Sequence, residues 1–522
     1  MPPNAVTPTE GIFPEETKRA NYVTAPETHA NERTHTRRLE RPYPWNLVSD
    51  STHYTVGSIV LITIFFPTLS LITISTLSGY LMYFCLYKYN PPLRSVLDAA
   101  RYAQLWFFQQ LGNVILLDPR NSPYLPWMAW SLMSLPPLFK WAYNRHMTYG
   151  FEVSTFLIYH LIRLGPRYRF FAHHECLIHT EGHSNEHGFF RNIFKLGKNV
   201  SVSKTVRRLV LDHINAGIIG PFYGSIPFHY STAHNKIHHR WHNDTGDVHT
   251  NMDVDRTVPS SFVLWIPRFV AYWMGISPVI LFWKRGEYGL LKRLVLGMIY
   301  YYSLGAAVCY CSNFYFWFGY WVYPQLEAAS FLGGIAYIWH AFSEESDPSN
   351  QYVNSVTILR GHDNIWNEDY HVVHHHEPNV HWTKMPDSFY ANIDEYVKCR
   401  ATVFGDCEQG VFFTWMFGGK WDDMVDHFVD LQYVFSNGDK NSDAEKLFTM
   451  KQIDEYEKNI RRDEDMSIVD AQMSVYHEEV KEMLLQRLRY HYMGDRQEKW
   501  KKYNKRMNDG VRDFEEMHEK QS

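Results

Sequence analysis

"SIVLITIFFPTLSLITISTLSGYLMYFCLY", residues 58–87, carries no charged side chain, and the charge-free stretch begins at Tyr54, 34 positions in all. About twenty apolar helical residues cross the hydrocarbon core of a bilayer. A run of this length therefore reads as one tilted span, or as a tight hairpin broken at Pro67. Leu294–Leu326 is a second such run of 33 residues, with Pro324 near its end. Asn121–Phe139 and Ala328–Ser343 are shorter charge-free runs. Buried helices of a large soluble protein are the competing explanation, and the two long runs exceed what it needs. The sequence predicts an all-α integral membrane helical bundle of about four transmembrane helices.

The average composition hides this. Over 522 residues, hydrophobic content is 45% and aromatic content 16%, yet mean hydropathy is −0.35. Residues 439–522 hold 37 of the 107 charged side chains, and residues 1–50 hold seven of the 25 prolines. Three regions are expected: a disordered Pro/Thr-rich arm (1–50), a membrane catalytic domain (51–385) and a charged, mostly helical cytosolic region (386–522). No secretory signal precedes the first run. Arg33, Arg37, Arg38 and Arg41 favour a cytosolic N-terminus, although Lys88, Arg94 and Arg101 follow the run. Six cysteines without a CxxC pair give neither a disulfide framework nor a zinc module. A net charge of −5 without a basic stripe gives no reason to expect nucleic acid.

Smaller features fill in the organisation. Residues 92–120 ("RYAQLWFFQQL" at their centre) are expected to lie along the membrane interface as an amphipathic helix. Leu211–Thr232, broken by three glycines and two prolines, is expected to be re-entrant. In "VYHEEVKEMLLQRLRYHYM", Val480, Met483, Leu484 and Leu488 form one apolar side, so this helix should dock on the cytosolic face.

Chemistry concentrates in the histidines. Of 28, twelve fall between His173 and His249 and six between His362 and His381. An even spread would place about five in those windows. Imidazole is the commonest metal ligand and coordinates near neutral pH without losing a proton. The first stretch is "HHECLIHTEGHSNEH" (173–187), where His179 and His183 lie one helical turn apart. The second is "HNKIHHRWHNDTGDVH" (234–249), with His234 and His238 four apart and His239 adjacent. The third is "NEDYHVVHHH" (367–376), where His371 precedes His374 and His375 by three and four. Adjacent helical histidines point about 100° apart, so such a box can serve two metals. Eight spaced imidazoles are twice what one tetrahedral zinc needs.

Boxes of the form HxxxH, HxxxHH and, after about 130 residues with spans, HxxHH resemble those of the membrane-bound non-haem di-iron fatty acid desaturase and hydroxylase superfamily. "NEDYHVVHHHEPN" (367–379) is similar to the third box of sphingolipid-type desaturases, and "HHRWHNDTGDVHTNMDVD" (238–255) to the run after their second. "HNKIHH" is equally similar to a box of alkane hydroxylases. The resemblance covers residues 170–385 in motifs and, more loosely, the spans from residue 54.

The resemblance implies a cytosolic helical cap holding two iron ions on His179, His183, His234, His238, His239, His371, His374 and His375. It implies O2 as co-substrate, an acyl lipid as substrate and a membrane location in the endoplasmic reticulum with the site facing the cytosol. His-Pro-Gly-Gly, the mark of a fused haem donor domain, is absent from the sequence. The electrons should then come from a separate protein such as a b-type cytochrome or ferredoxin. Metal-bound histidines need an acceptor on the second ring nitrogen. Asn354, Glu175, Asp247, Asp253 and Asp255 are candidates for that support, as are Glu368 and Asp369. His173, His174, His187, His242, His249, His376 and His381 exceed the motifs and are expected to support ligands or face solvent. His213 and His229 read as core histidines.

The chain departs from the family at one point. Acyl desaturases often carry V-N-S-x-x-H-L-x-G before the third box, whose His is a ligand. Here "YVNSVTILRGHDN" (352–364) keeps Asn354 but places Ile358 where that histidine would be. His362, one turn on, is expected to move in and complete the cluster; a surface histidine after a helix cap at Gly361 is the competing reading. The leading functional expectation is a fatty acid desaturase of acyl-lipid or sphingolipid type. A hydroxylase on the same scaffold and a membrane zinc hydrolase are the alternatives.

Overall fold

The computed structural model describes residues 44–183, 189–190, 214–243, 246–344, 347, 350–436, 447–460 and 466–489. The expected arm lies almost entirely outside them, as do His187 and His213.

The first charge-free run is one continuous helix, not a hairpin: α1, Ser51–Lys88. Hydroxyls would be costly in lipid, and several on this helix find a carbonyl one turn back. Thr63 donates to Ile59 O at 2.6 Å, Ser70 to Phe66 O at 2.9 Å and Thr73 to Leu69 O at 2.8 Å. Pro67 follows a π-helical turn at Leu61–Phe65, which takes up the ladder bond that proline cannot make. At 1.5 Å per residue, 38 residues exceed the ~30 Å hydrocarbon core, so α1 must tilt or project.

Asn90 caps the next helix, α2 (Pro91–Ile115), by accepting from Leu93 N at 3.2 Å. Tyr102 and Trp106 are exposed on it, as an interfacial helix requires. Then come α3 (Leu125–Tyr149), α4 (Val153–Leu164) and α5 (Arg169–His183). The segment around Pro221 is a short broken helix that turns at Gly224 (φ +84°) and is largely buried. It leads into α6, a π-helical segment at Tyr230–His238.

Two further helices, α7 (Pro259–Trp273) and α8 (Ile276–Arg285), meet at 73° across Gly275. The second long apolar run divides into α9 (Tyr288–Cys311) and a helical stretch ending in α10 (Tyr323–Trp339). Among the described residues, α1 and α9 are long and apolar enough to cross a membrane, with α7–α8 a third if the pair is one broken span. The expected four is not reached on length and composition.

The chain beyond α10 is compactly tied to what precedes it. Strand β1 (Thr357–Leu359) pairs in parallel with β2 (Val403–Gly405), a small departure from an all-α fold. Between them lies α11 (His371–His376); after them come α12 (Gln409–Gly418) and α13 (Met466–Arg489). Phe412 and Trp415 of α12, and Val480, Leu484 and Leu488 of α13, are buried in the same core as Ile178 of α5, Ile266 of α7 and Ala328 of α10. Val480, Leu484 and Leu488 are the predicted apolar side of that last helix. Close approach of α1 to α7 depends on Gly57, where a Cβ would stand 1.9 Å from Val263 O. Helices α5, α6, α11 and the end of α10 converge in the middle of this assembly, and each carries histidines.

Candidate metal centre

Each box delivers its histidines through local geometry. On α5, His179 and His183 stack one turn apart, their Nε2 atoms 3.2 Å from each other. On α6 the winding is π-helical, so residues five apart come round to one side. His239 Nε2 thus lies 2.9 Å from His234 Nε2. The sequence pairs His234 with His238; the structure pairs it with His239 and sends His238 to the other cluster. On α11, His371 and His375 lie four apart with Nε2 atoms at 3.1 Å, while His374 points to the opposite side. The expected division of an HxxHH box between two clusters is what the geometry gives.

Two groups result. His179, His183, His234, His239 and His374 have ligand atoms within 4.8 Å of one another, and so do His238, His340, His371 and His375. His340 was not foreseen. It follows the last turn of α10, and its Nε2 stands 3.1 Å from His371 Nε2. The signal available was a single histidine at the end of the charge-free run Ala328–Ser343, since an ionisable group in such a run is a functional candidate.

His362 does not join either cluster. Its ring is exposed, and its backbone N–H donates to Glu408 Oε1 at 2.6 Å. The expected helix from Asn354 through His362 does not exist: Gln351–Asn354 is one turn, and Ile358 lies in β1. The strand carries the chain away before His362 can turn in, and His340 supplies the missing imidazole.

Carboxylates and carbonyls can only accept, so they fix which ring nitrogen carries the proton. His238 Nδ1 donates to Asp247 Oδ2 at 2.6 Å, and His179 Nδ1 to Glu368 Oε1 at 3.1 Å. His340 Nδ1 donates to the backbone oxygen of Asn354 at 3.0 Å, and Asn354 Nδ2 in turn donates to His242 O at 2.9 Å. In all three rings Nε2 is left with a lone pair facing its cluster. Glu175 stands apart from the rings, accepting from Ser225 Oγ at 3.0 Å and Tyr230 Oη at 3.3 Å, and burial pushes its carboxyl up to about 8. The other three candidates support no ring, and of these Asp369 accepts from Gln409 Nε2 at 2.6 Å. Asp253 is locked to Arg268, and Asp255 accepts from Thr257 N at 2.9 Å and its hydroxyl at 2.6 Å, a local turn.

The remaining histidines have ordinary places. His174 bonds Ser131, His173 lies on the ring of Trp127, and His229 contacts Tyr272 O at 2.8 Å. His381 bonds Asn121, and His376 is exposed. His249 is buried beside Asp247, and the Nδ1 atoms of His242 and His375 stand 3.2 Å apart.

The donor set can be tested for a metal. His179 Nε2 has His234 Nε2 at 2.8 Å and His183 Nε2 at 3.2 Å, and one proton can relieve only one of those contacts. His374 Nε2 is buried without a hydrogen-bond partner among the described residues. Ligands at right angles on a metal with bonds of about 2.1 Å stand about 3.0 Å apart, close to the observed 2.8–3.2 Å. Burial, then the neighbouring imidazoles, holds His239, His374 and His375 well below the usual histidine range, so these rings are neutral and able to coordinate. The residues fit two cations, one per cluster.

A cavity reaches both clusters. His179, His234, His238, His340 and His371 line one part of it, and Phe269, Tyr272, Phe331, Leu332 and Ile335 line another. Such a space suits an apolar chain brought against the imidazoles.

The family described as fatty acid desaturase matches residues 155–402, a segment that contains all nine clustered histidines. No curated protein and no solved structure matches the chain.

Proposed function

Since the chain belongs to the membrane-bound fatty acid desaturase and hydroxylase superfamily, we propose that it is a fatty acid desaturase of acyl-lipid or sphingolipid type. What supports this reading is the apolar cavity that ends on nine converging imidazoles. Two iron ions, when bound, would supply the oxygen-activating redox chemistry that an unactivated C–H bond requires. In the overall change the chain loses one hydrogen from each of two adjacent carbons. O2 accepts two electrons from that bond change and two from a separate donor protein, takes up two protons, and leaves as two waters.

The protein's own work is positional. Asp247, Glu368 and the Asn354 carbonyl hold three rings with their lone pairs inward. Phe331, Leu332 and Ile335 guide an acyl chain and exclude water from its reacting carbons. A hydroxylase shares all of these parts and differs in where the substrate carbon stops. Cells expressing the chain, compared with cells expressing a His374→Ala/His375→Ala variant, should gain a lipid that has lost two hydrogens. A lipid that gains one oxygen instead would move the assignment to hydroxylase; identical lipid profiles would refute both.

The same reading places the site in the endoplasmic reticulum membrane, facing the cytosol. One centre cannot draw ligands from both faces of a bilayer; with both polar ends on the same side as the boxes, the number of crossings is even, and four is the count proposed. Glycosylation tags near residues 190 and 400 should report the same side, and opposite sides would refute the shared centre.

A further inference from the structure

The cavity has a polar rim, and part of it comes from outside the family segment. Glu408, Gln409 and Gly410, at the start of α12, line the cavity, whereas the family match ends at residue 402. Arg169 and Asp363 line it with them. Asp363 accepts from Arg167 at 2.6 Å and from Arg169 as well. Glu408 in turn accepts from the backbone N–H groups of His362 at 2.6 Å and Asp363 at 2.9 Å. The chain of contacts runs from α12 through the 362–363 backbone to the arginines before and within α5.

Both loops that meet here adopt backbone conformations that side-chain-bearing residues rarely take. Arg167 and Tyr168 have φ of +56° and +46°, and Arg360, Trp366 and Asn367 have φ of +60°, +53° and +60°. Strain of this kind persists where the surroundings enforce it and concentrates at ligand sites. Arg169 lines the cavity and Arg167 reaches the rim through Asp363, so the linked group of Arg167, Arg169, Asp363 and Glu408 holds two charges of each sign. A polyanionic carrier would need uncompensated cations to offset its desolvation, and this rim offers none among its described residues. Each guanidinium has five N–H donors, of which Asp363 engages one terminal nitrogen per arginine. Asp363 and Gln409 supply acceptors beside them.

We propose that Arg167, Arg169, Asp363, Glu408 and Gln409 form the head-group subsite, and that it takes an uncharged head bearing both a hydrogen-bond donor and an acceptor, of the N-acyl amide or hydroxyl class. The inference rests on the desaturase reading for the chain that fills the cavity, but its test needs no turnover. His362, which the clusters do not use, finds its place here: its backbone is one of the two rungs that fix Asp363.

The test is equilibrium binding of a radiolabelled long-chain N-acylethanolamine to the purified full-length holoenzyme. The acyl-CoA and free fatty acid of the same chain length serve as competitors. The N-acylethanolamine should outcompete acyl-CoA by about tenfold or more. Asp363→Asn leaves two cations against one carboxylate and should shift that ratio toward the anionic competitors by about tenfold. Arg169→Gln leaves the rim net negative and should shift it the other way. Acyl-CoA binding as tightly as the amide to the parent would overturn the proposal. So would a ratio unmoved in both variants at parental iron content. If Asp363→Asn fails to retain iron, Arg169→Gln alone decides. A protein that binds the amide with the predicted selectivity but never oxidises a lipid would refute the desaturase reading and leave this subsite standing.

Discussion

His340→Ala should lower turnover by more than about a hundredfold and remove iron from one cluster, while His362→Ala leaves both turnover and iron close to the parent. Loss of a residue that merely supports a ligand costs about 10- to 100-fold in metal affinity or activity, and His340 is placed as a ligand itself. Its Nδ1 is fixed by Asn354 and its Nε2 faces His371 at 3.1 Å. It is buried, so alanine also leaves a void beside His371 and His375. His362, by contrast, contributes its backbone, and its ring is exposed. Iron per chain and lipid turnover, measured on both variants, check the assignment. A His362 variant that loses iron, or a His340 variant that keeps it, reverses the two roles.

Arg268→Met should destabilise the fold by about 3–5 kcal/mol, the cost of breaking a buried ion pair by removing one of its partners. Arg268 is fully buried and Asp253 nearly so. The two meet as parallel forks, Nη1 to Oδ1 at 2.6 Å and Nη2 to Oδ2 at 2.7 Å, and Nη1 also donates to Thr250 O at 3.1 Å. The pair clamps the loop that carries Asp247 and His249 onto α7, so a weaker fold should also release metal earlier on heating. Replacing both partners with apolar residues should cost much less than replacing either one. Thermal unfolding in detergent, followed for Arg268→Met, Asp253→Leu and the double variant, is the check. A single variant as stable as the parent would show the pair to be dispensable.

The histidine boxes were legible because imidazoles at three- and four-residue spacing have few uses other than metal binding. Eight of the nine clustered rings could be named from spacing alone. What spacing could not give was their partition. Whether His238 or His239 accompanies His234 depends on a π-helical winding, which has no reliable residue signature. His340 was hidden for a related reason: it stands alone, 31 residues before His371, and only the fold brings the end of α10 beside α11. The error at His362 came from extending a helix through Asn354, where the backbone enters a strand whose partner, Val403–Gly405, is 46 residues away. Non-local pairing of that kind overrides local periodicity. Of the carboxylates, Asp247 and Asp253 look alike in sequence, and only the position of Arg268 separates a ligand support from a fold clamp. The first membrane run was legible in length, while its continuity past Pro67 depended on a π turn.

The most direct measurement is the metal content of the purified, fully loaded chain. Two clusters of five and four imidazoles predict about two irons per chain, falling to about one when His183 is replaced by alanine. One zinc per chain with no iron, or two irons retained in the His183→Ala variant, would contradict the account.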